Sequence, residues 1–480
     1  MTDDSIPGRI GTIAKADKVP ARQKMFFSLG GFTDYLSTTL TVSVLWMPFF
    51  NIGMGLSPIL LGGILMIMRL WDGFNDPIMG NISDNTRTRW GRRRPFMVIG
   101  AIATALIYPL LWHPPTQYGH GVTAIYITVL GLLLFTASTC WAMPYYSLQM
   151  ELTPSYDERT RVSAWMAFVA KFANLLGGWT LAFVAGPLFV NAATGKPDIV
   201  AGMQTTSWAI AVLILGFGLL PPIFVKERYY ETETSKQSKD PFFKSLKESF
   251  FCKPLWLVIG ISFFVSLGSA SIGTLGQYVN IYYVNNGDLG AATIITGLKS
   301  TVAVVAGILS IPLWTWLSER LDKKLIVGIL LLGGMGGHAL NYFCLDPAHP
   351  YLQLIPAVFQ SGILGAMSLM IPSMKADIAD YDELDTRRRR EGSLNSFYSW
   401  FLRMSQTCAM GAGGVVLALT GFDVAVLKQP PEVLERMKYV YLLLPLAIWG
   451  VSLAFIANYP LTRKRMKAIR DDLEARRGSI

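Results

Sequence analysis

Apolar residues in this chain run in long stretches, and polar residues fall in short clusters between them. Each stretch is about 20 residues or more, the length a helix needs to cross a bilayer core of about 30 Å. Twelve are predicted, at 25–50, 57–82, 95–113, 122–148, 161–187, 204–225, 254–283, 290–317, 324–344, 351–375, 392–420 and 438–460. The longer ones leave room for tilt or for extension beyond the lipid. The pattern therefore predicts an all-α membrane protein with twelve transmembrane helices.

Composition agrees with the pattern. Of 480 residues, 52% are hydrophobic and 15% charged, with a mean hydropathy of +0.39. Soluble domains average about 25% charged residues, so the deficit points to lipid. The net charge of +10 would by itself suggest nucleic acid or anionic lipid as a partner, but its distribution argues otherwise. Most Lys and Arg residues fall in the N-terminus, the connections after spans 2, 4, 6, 8 and 10, and the C-terminal tail. Lys196, Lys428, Arg436 and Lys438 occupy the opposite connections, and Arg69, Lys171, Lys299 and Arg403 lie within spans. Such asymmetry is a topology signal that puts both termini in the cytoplasm of a cell (inner) membrane. No nucleic-acid partner is expected.

The four cysteines (Cys140, Cys252, Cys344 and Cys408) lie in or beside apolar spans without metal-ligand spacing, so no disulfide framework or zinc site is expected. The N-terminus is polar through Lys24 and lacks the short apolar core of a cleavable signal. Residues 1–24 and 461–480 read as cytoplasmic tails, with 1–23 and 464–480 expected to be mobile. The longest polar interruption, 226–253, divides the spans into halves at 25–225 and 254–460. Two pseudo-symmetric six-helix halves around a charged central loop is the layout of the major facilitator fold.

A weak repeat fits that division. Gly80 to Arg94 after span 2 and Trp316 to Lys324 after span 8 are both short acid-plus-base connections. They can lock helix ends by charge-assisted hydrogen bonds, or serve only as solvated turns. Of the 44 glycines, many lie within spans, as at Gly62, Gly177-Gly178, Gly411 and Gly413-Gly414. There they permit close helix approach or act as hinges.

The candidate chemistry is concentrated in span 2, in Arg69-Leu-Trp-Asp72-Gly-Phe-Asn-Asp76-Pro77. An ionisable group at a bilayer centre costs roughly 2.5–3.5 kcal/mol on insertion scales, so charges retained there usually serve function. Spacings of three and four put Arg69, Asp72 and Asp76 on one helix face. That face suits a cation; a structural ion-pair cluster is the competing reading.

Three separated motifs carry a family resemblance. Asp72 to Gly80 with Arg87-Thr-Arg-Trp-Gly-Arg-Arg-Arg-Pro95 resembles a signature of the glycoside–pentoside–hexuronide:cation symporters of the major facilitator superfamily. Asp157-Glu-Arg-Thr-Arg161, and Asp377-Ile-Ala-Asp380-Tyr381 with Arg390-Glu-Gly-Ser and Arg403, continue the match. The resemblance implies that Asp72 and Asp76 bind the coupling cation with Thr139 of span 4 as a hydroxyl ligand. The family prototype has a further aspartate on span 4 where this chain has Ala142. Sodium favours about six oxygen ligands, so the shortfall leaves sodium or proton open as the coupling ion. Arg69 and Arg403 are expected as counter-charges to the pair; Arg403 stands at a family lysine position, and arginine stays protonated. A purely structural cross-bundle bridge is the alternative for Arg403.

For substrate, Asp34 matches a family aspartate that accepts hydrogen bonds from sugar hydroxyls, and Tyr146 aligns with a sugar-stacking aromatic. Trp141 and Tyr145 are neighbours, and Ser399 lies one turn before Arg403. Thr33 and Met166 replace basic residues of the family, so the substrate is expected to differ from an α-galactoside. Lys171 is expected either to serve an acidic sugar or to snorkel. Lys299 reads as snorkelling, His338 as packing, and Asp377, Asp380 and Arg387–Arg390 as gating or topology.

The expected function is a monomeric secondary active transporter that couples a sodium or proton gradient to uptake of a sugar or glycoside, without a cofactor. The alternatives are a sodium-coupled lysolipid carrier and a transport-inactive membrane sugar sensor, the latter at odds with tails too short for an output domain. No metal cluster, phosphate loop or nucleophile–base set suggests an enzyme.

Overall fold

The computed structural model describes residues 18–153, 156–191, 195, 197–225, 250–386, 391–424, 426 and 428–477. Among the described residues, thirteen helices carry the fold. In the first half they are α1 (Ala21–Asp34), α2 (Pro58–Asn85), α3 (Arg94–Leu111), α4 (His120–Glu151), α5 (Tyr156–Val184) and α6 (Ile199–Phe224). The second half has α7 (Lys253–Tyr278), α8 (Leu289–Arg320), α9 (Lys323–Ala339), α10 (Leu354–Thr386), α11 (Glu391–Leu419) and α12 (Pro431–Ala457), followed by α13 (Arg463–Arg477). The predicted central loop 226–253 lies outside the described residues up to 249, as do 1–17 and Arg387–Arg390. Eight helices are apolar and long enough to cross a membrane among the described residues. The chain is an integral, multi-pass, all-α membrane protein.

Sequence chemistry explains the irregular elements. Directly after Asp34, α1 widens into π-helical turns over Tyr35–Leu45 and again over Pro48–Gly53. Such widening often accompanies functional residues. In α2, Pro77 has no N–H, so the Gly73 carbonyl one turn earlier loses its helical donor. The lipid-side face of α2 exposes Phe74 (71%) and Ile78 (57%), while Leu61 and Met68 are fully buried. Apolar side chains facing outward are what a hydrocarbon solvent favours.

The two halves meet chiefly where α2 packs on α11 and α5 on α8. Both crossings depend on glycine. A Cβ at Gly414 would sit 2.1 Å from the Pro58 carbonyl oxygen, and one at Gly178 would sit 2.2 Å from the Ser300 side chain. Hydrogen bonds reinforce the contact: Trp179 Nε1 donates to Thr301 Oγ1 at 3.0 Å, and Tyr278 OH donates to Asn51 Oδ1 at 2.7 Å. All these residues lie at the end of the bundle opposite the chain termini. There a single apolar core runs through both halves, uniting Phe50, Trp112 and Val184 with Tyr278, Leu417 and Tyr441. At the terminal end the cores are separate, one around Phe27 and Trp141, the other around Ile326 and Ile378. Among the described residues, the halves are thus closed together at that one end.

Residues 464–477 differ from the mobile tail expected of them. Arg463–Arg477 forms α13, which packs against α10 and buries Met466 and Ile469 in the second-half core. The i,i+3 spacing of those two apolar side chains gives this otherwise basic segment a face that can dock. Residues 21–24 likewise belong to α1 rather than to a tail.

Candidate cation and substrate site

Midway along the bundle, α1, α2, α4 and α11 enclose a cavity of about 270 Å³ lined by Asp34, Arg69, Asp72, Asp76, Thr139 and Arg403, among others. The helical spacing read from the sequence is realised: Arg69 Nη1 lies 3.2 Å from Asp72 Oδ2. Arg403 Nη1 bonds Asp76 Oδ2 from the opposite half. Each carboxylate therefore gives its Oδ2 to an arginine and turns its Oδ1 elsewhere. Both Oδ1 atoms converge on Thr139 Oγ1, at 3.4 Å for Asp72 and 3.1 Å for Asp76.

One hydroxyl proton cannot serve both carboxylates at once, so the three oxygens form a cluster with more acceptors than donors. Two arginines and two aspartates balance in charge. A cation entering between the Oδ1 atoms has three side-chain oxygens to meet it, and Ala142, which also lines the cavity, adds none. Among the described residues no group of three or more His, Cys, Asp or Glu is placed to hold a metal.

One turn of cavity wall away, Tyr146 OH donates to Asp34 Oδ2 at 2.7 Å. The Thr38 hydroxyl bonds the Asp34 backbone carbonyl at 2.7 Å, tightening the turn where α1 widens. Behind this, Ser37 and Ser138 share a 3.0 Å hydrogen bond that ties α1 to α4.

A second compartment of about 700 Å³ lies between the halves and shares Thr39, Arg69 and Gln406 with the first. Its α7 wall presents Ser262, Ser266, Ser269, Gly273 and Gln277. These positions recur at three- and four-residue steps, one polar stripe along an apolar helix. Each serine alone is unremarkable in the sequence; the period carries the signal. Lys375 of α10 also lines this compartment, together with Tyr398 of α11.

Comparison with known proteins accords with this arrangement. A model of the family described as MFS/sugar transport protein matches residues 26–463. The chain belongs to that family. It is a major-facilitator transporter of the glycoside–pentoside–hexuronide type, as the motifs at Asp72, Asp157 and Arg390 indicated. The isoprimeverose transporter of Lactiplantibacillus pentosus is 28% identical, with 96% of this chain and 93% of the relative covered. The glucuronide carrier protein homolog of Escherichia coli (strain K12) is 26% identical, with 87% of each covered. The sodium-dependent lysophosphatidylcholine symporter 1 of Mus musculus is 21% identical over 86% of this chain and 81% of its own. In fold, the chain resembles the crystal structure of a bacterial homolog of the human lysosomal transporter Spinster. The TM-score is 0.61 at 12% identity, covering 94% of this chain and 96% of that one.

Other residues singled out in this family member's sequence lie apart from the cavities. Trp141 is fully buried, donates to the Gly218 carbonyl at 2.9 Å and stacks on Tyr145. Tyr145 in turn donates to the Phe27 carbonyl at 2.9 Å. Both pack α4 within the first half, and Tyr146 is the aromatic that reaches the cavity. Lys171 sits at the α5–α8 crossing with its Nζ near Gly307, and Ser399 lines neither compartment. Lys299 does not snorkel: its Nζ bonds Gln353 Oε1 at 2.6 Å, and Gln353 bonds Asn280 at 3.0 Å. His338 is buried, as expected, between the Tyr441 carbonyl (2.9 Å) and Gln360 (3.1 Å).

The acid-plus-base connections make more than solvent contacts. Arg94 Nε donates to the Pro222 carbonyl of α6 at 2.5 Å. Lys323 bonds Asp377 at 2.6 Å, and Asp322 Oδ1 accepts the Arg463 N–H at 3.0 Å. The second-half connection is thereby tied to α10 and α13.

Proposed function

We propose that this transporter couples inward movement of a cation to uptake of a sugar or glycoside by alternating access. The observation that carries the reading is the convergence of the Asp72 and Asp76 Oδ1 atoms on Thr139, with their Oδ2 atoms held by arginines from the two halves. A cation at that point competes with Arg403 for Asp76. Its binding then changes the contact between halves, which is what coupling requires, since an ion bound equally in both states shifts nothing. Three side-chain oxygens suit a proton better than sodium, because a proton needs one carboxylate and sodium about six ligands.

Asp34 and Tyr146 are the proposed sugar contacts, with the α7 serine stripe along the adjoining wall. The names of the isoprimeverose and glucuronide relatives support a saccharide substrate. A lysolipid carrier needs an apolar slot open to the bilayer for its acyl chain, and the carboxylates of the first cavity with the serine stripe favour a polyhydroxylated substrate instead. Cytoplasmic termini in a cell membrane follow from the basic connections, and on that orientation the closed end of the bundle faces outward.

Proteoliposome uptake with a panel of neutral and acidic sugars, under an imposed proton or sodium gradient, tests this reading. Gradient-driven accumulation of at least one sugar is expected, with the proton gradient effective. Failure of every sugar under both gradients would overturn it.

A further inference from the structure

The α13 helix has a basic face that neither cavity uses. From Arg463 to Arg470 the sequence carries five basic residues and no acid; Asp471, Asp472 and Glu474 all follow that run. Met466 and Ile469 anchor the helix in the second-half core, which leaves Lys464, Arg465 and Lys467 exposed. Lys464 and Lys467 are three apart on one helix face, and among the described residues they make no ion pair or hydrogen bond. Arg465 lies 5.8 Å over the Tyr381 ring of α10, a contact that keeps its charge.

Beneath that face, α9, α10 and α13 enclose a groove of about 800 Å³. Lys323, Arg463, Lys464 and Lys467 line it with Asp322, Asp377 and Asp471. Two of the three carboxylates are engaged: Asp377 bonds Lys323 at 2.6 Å, and Asp322 Oδ1 accepts the Arg463 N–H at 3.0 Å. The exposed Lys464 and Lys467 are left with Asp471 as the remaining carboxylate of the groove.

The groove lies at the level where spanning helices end. Lys324 Nζ donates to the Ala457 carbonyl at 2.6 Å, so the start of α9 meets the end of α12, and α13 begins six residues later. At the end of α8, Arg320 lies 4.2 Å over the ring of the half-exposed Trp316. Tryptophan favours headgroup depth, where its ring is half in lipid and half in water. Along α9, Leu325, Ile329 and Leu332 are exposed at steps of four and three, one apolar row leading from the charged start into the span.

We infer that α13 and the start of α9 form a docking site for an anionic phospholipid. Its phosphate meets Lys464 and Lys467, and an acyl chain follows Leu325, Ile329 and Leu332. A zwitterionic headgroup brings a cation of its own, which the lysines repel; an anionic one does not. The bound lipid braces α13 against α10.

Native mass spectrometry of the purified full chain, incubated with equal amounts of dioleoyl phosphatidylglycerol and dioleoyl phosphatidylcholine, tests the site. Binding is read without transport, so the outcome stands apart from the saccharide-carrier reading. The wild-type protein is expected to retain the anionic lipid about tenfold over the zwitterionic one. Lys464→Gln/Lys467→Gln is expected to lower that ratio about fivefold or more, and Asp471→Asn to raise it, with unfolding midpoints unchanged. Equal retention of the two lipids by the wild type, or a ratio unchanged in the lysine variant, would overturn the site. Glycerol 1-phosphate, offered alone, supplies the headgroup without a lipid. Its retention at the level of the anionic lipid would overturn lipid docking in favour of a free phosphate ester.

Discussion

Arg403 of α11 bonds Asp76 of α2 across the interface between the two halves, 327 positions apart in the chain. The Asp76 side chain is 11% exposed and that of Arg403 is 49% exposed. The carboxylate is thus fixed in the wall, and the guanidinium reaches to it from the cavity. Any ligand of Asp76 must contend with Arg403, so the state of one carboxylate is linked to how the halves meet.

Replacing Arg403 separates charge from geometry. Arg403→Lys keeps the positive charge but loses the planar fork, and it is expected to retain transport with weaker coupling. Arg403→Met leaves Asp76 without its counter-charge and is expected to cost about 1–3 kcal/mol after allowance for the exposure of the arginine. Thermal unfolding in detergent, alongside substrate uptake, checks both.

Thr139 is the hydroxyl shared by the two carboxylates. Thr139→Val preserves shape and removes the donor, a loss of about 1 kcal/mol or more for a buried hydrogen bond. The expected result is a several-fold rise in the cation concentration needed for half-maximal uptake. Thr139→Ser is expected to behave like wild type, and a titration of uptake against cation concentration distinguishes them.

Much of this was legible in the chain before any coordinates. Long apolar runs announce twelve spans because lipid tolerates little else, and the 3–4 spacing of Arg69, Asp72 and Asp76 places them on one face wherever the helix sits. The partnership of Asp76 with Arg403 was suggested by resemblance alone; no local rule relates residues so far apart. Aromatic neighbours proved harder. Trp141, Tyr145 and Tyr146 lie within two helical turns, and which of them faces the cavity depends on helix rotation, set by packing of Trp141 against Gly218. The α13 helix was missed because two apolar residues in a basic segment give too weak a period. Lys375 was hidden by its position near a basic helix end, where topology alone explains a lysine.

The α2–α11 crossing predicts a conformational phenotype. A Cβ at Gly414 would meet the Pro58 carbonyl oxygen at 2.1 Å, and neither backbone moves without separating the helices. Gly414→Ala is expected to disfavour the state closed at this end by about 1–3 kcal/mol, the usual cost of overpacking. Labelling of a cysteine introduced beside Pro58 should rise in the variant, while the protein remains folded.

At the terminal end, Glu158 is 1% exposed at its side chain and pairs with Lys24 and Arg161. Burial alone would raise its carboxyl, but the Lys24 hydrogen bond, the Val19 N–H and Arg161 outweigh it and hold the group below its ordinary 4.5. A depressed carboxyl stabilises the fold above its unfolded pKa, and that stability is lost as pH falls through the lower folded value. Unfolding midpoints measured from pH 7 to pH 3 should fall below about pH 4.5 in the wild type. In Glu158→Gln the midpoint should be lower at pH 7 and flatter across the range.

Asp76 is the carboxylate through which the cation is proposed to drive transport. Asp76→Asn keeps the size of the side chain and removes the charge that a cation would meet. Proteoliposomes carrying this variant, at matched expression, can be assayed for accumulation under an imposed gradient and for equilibrium exchange of the same sugar. Loss of accumulation with exchange retained is the expected result. Uphill accumulation equal to wild type would contradict the cation assignment.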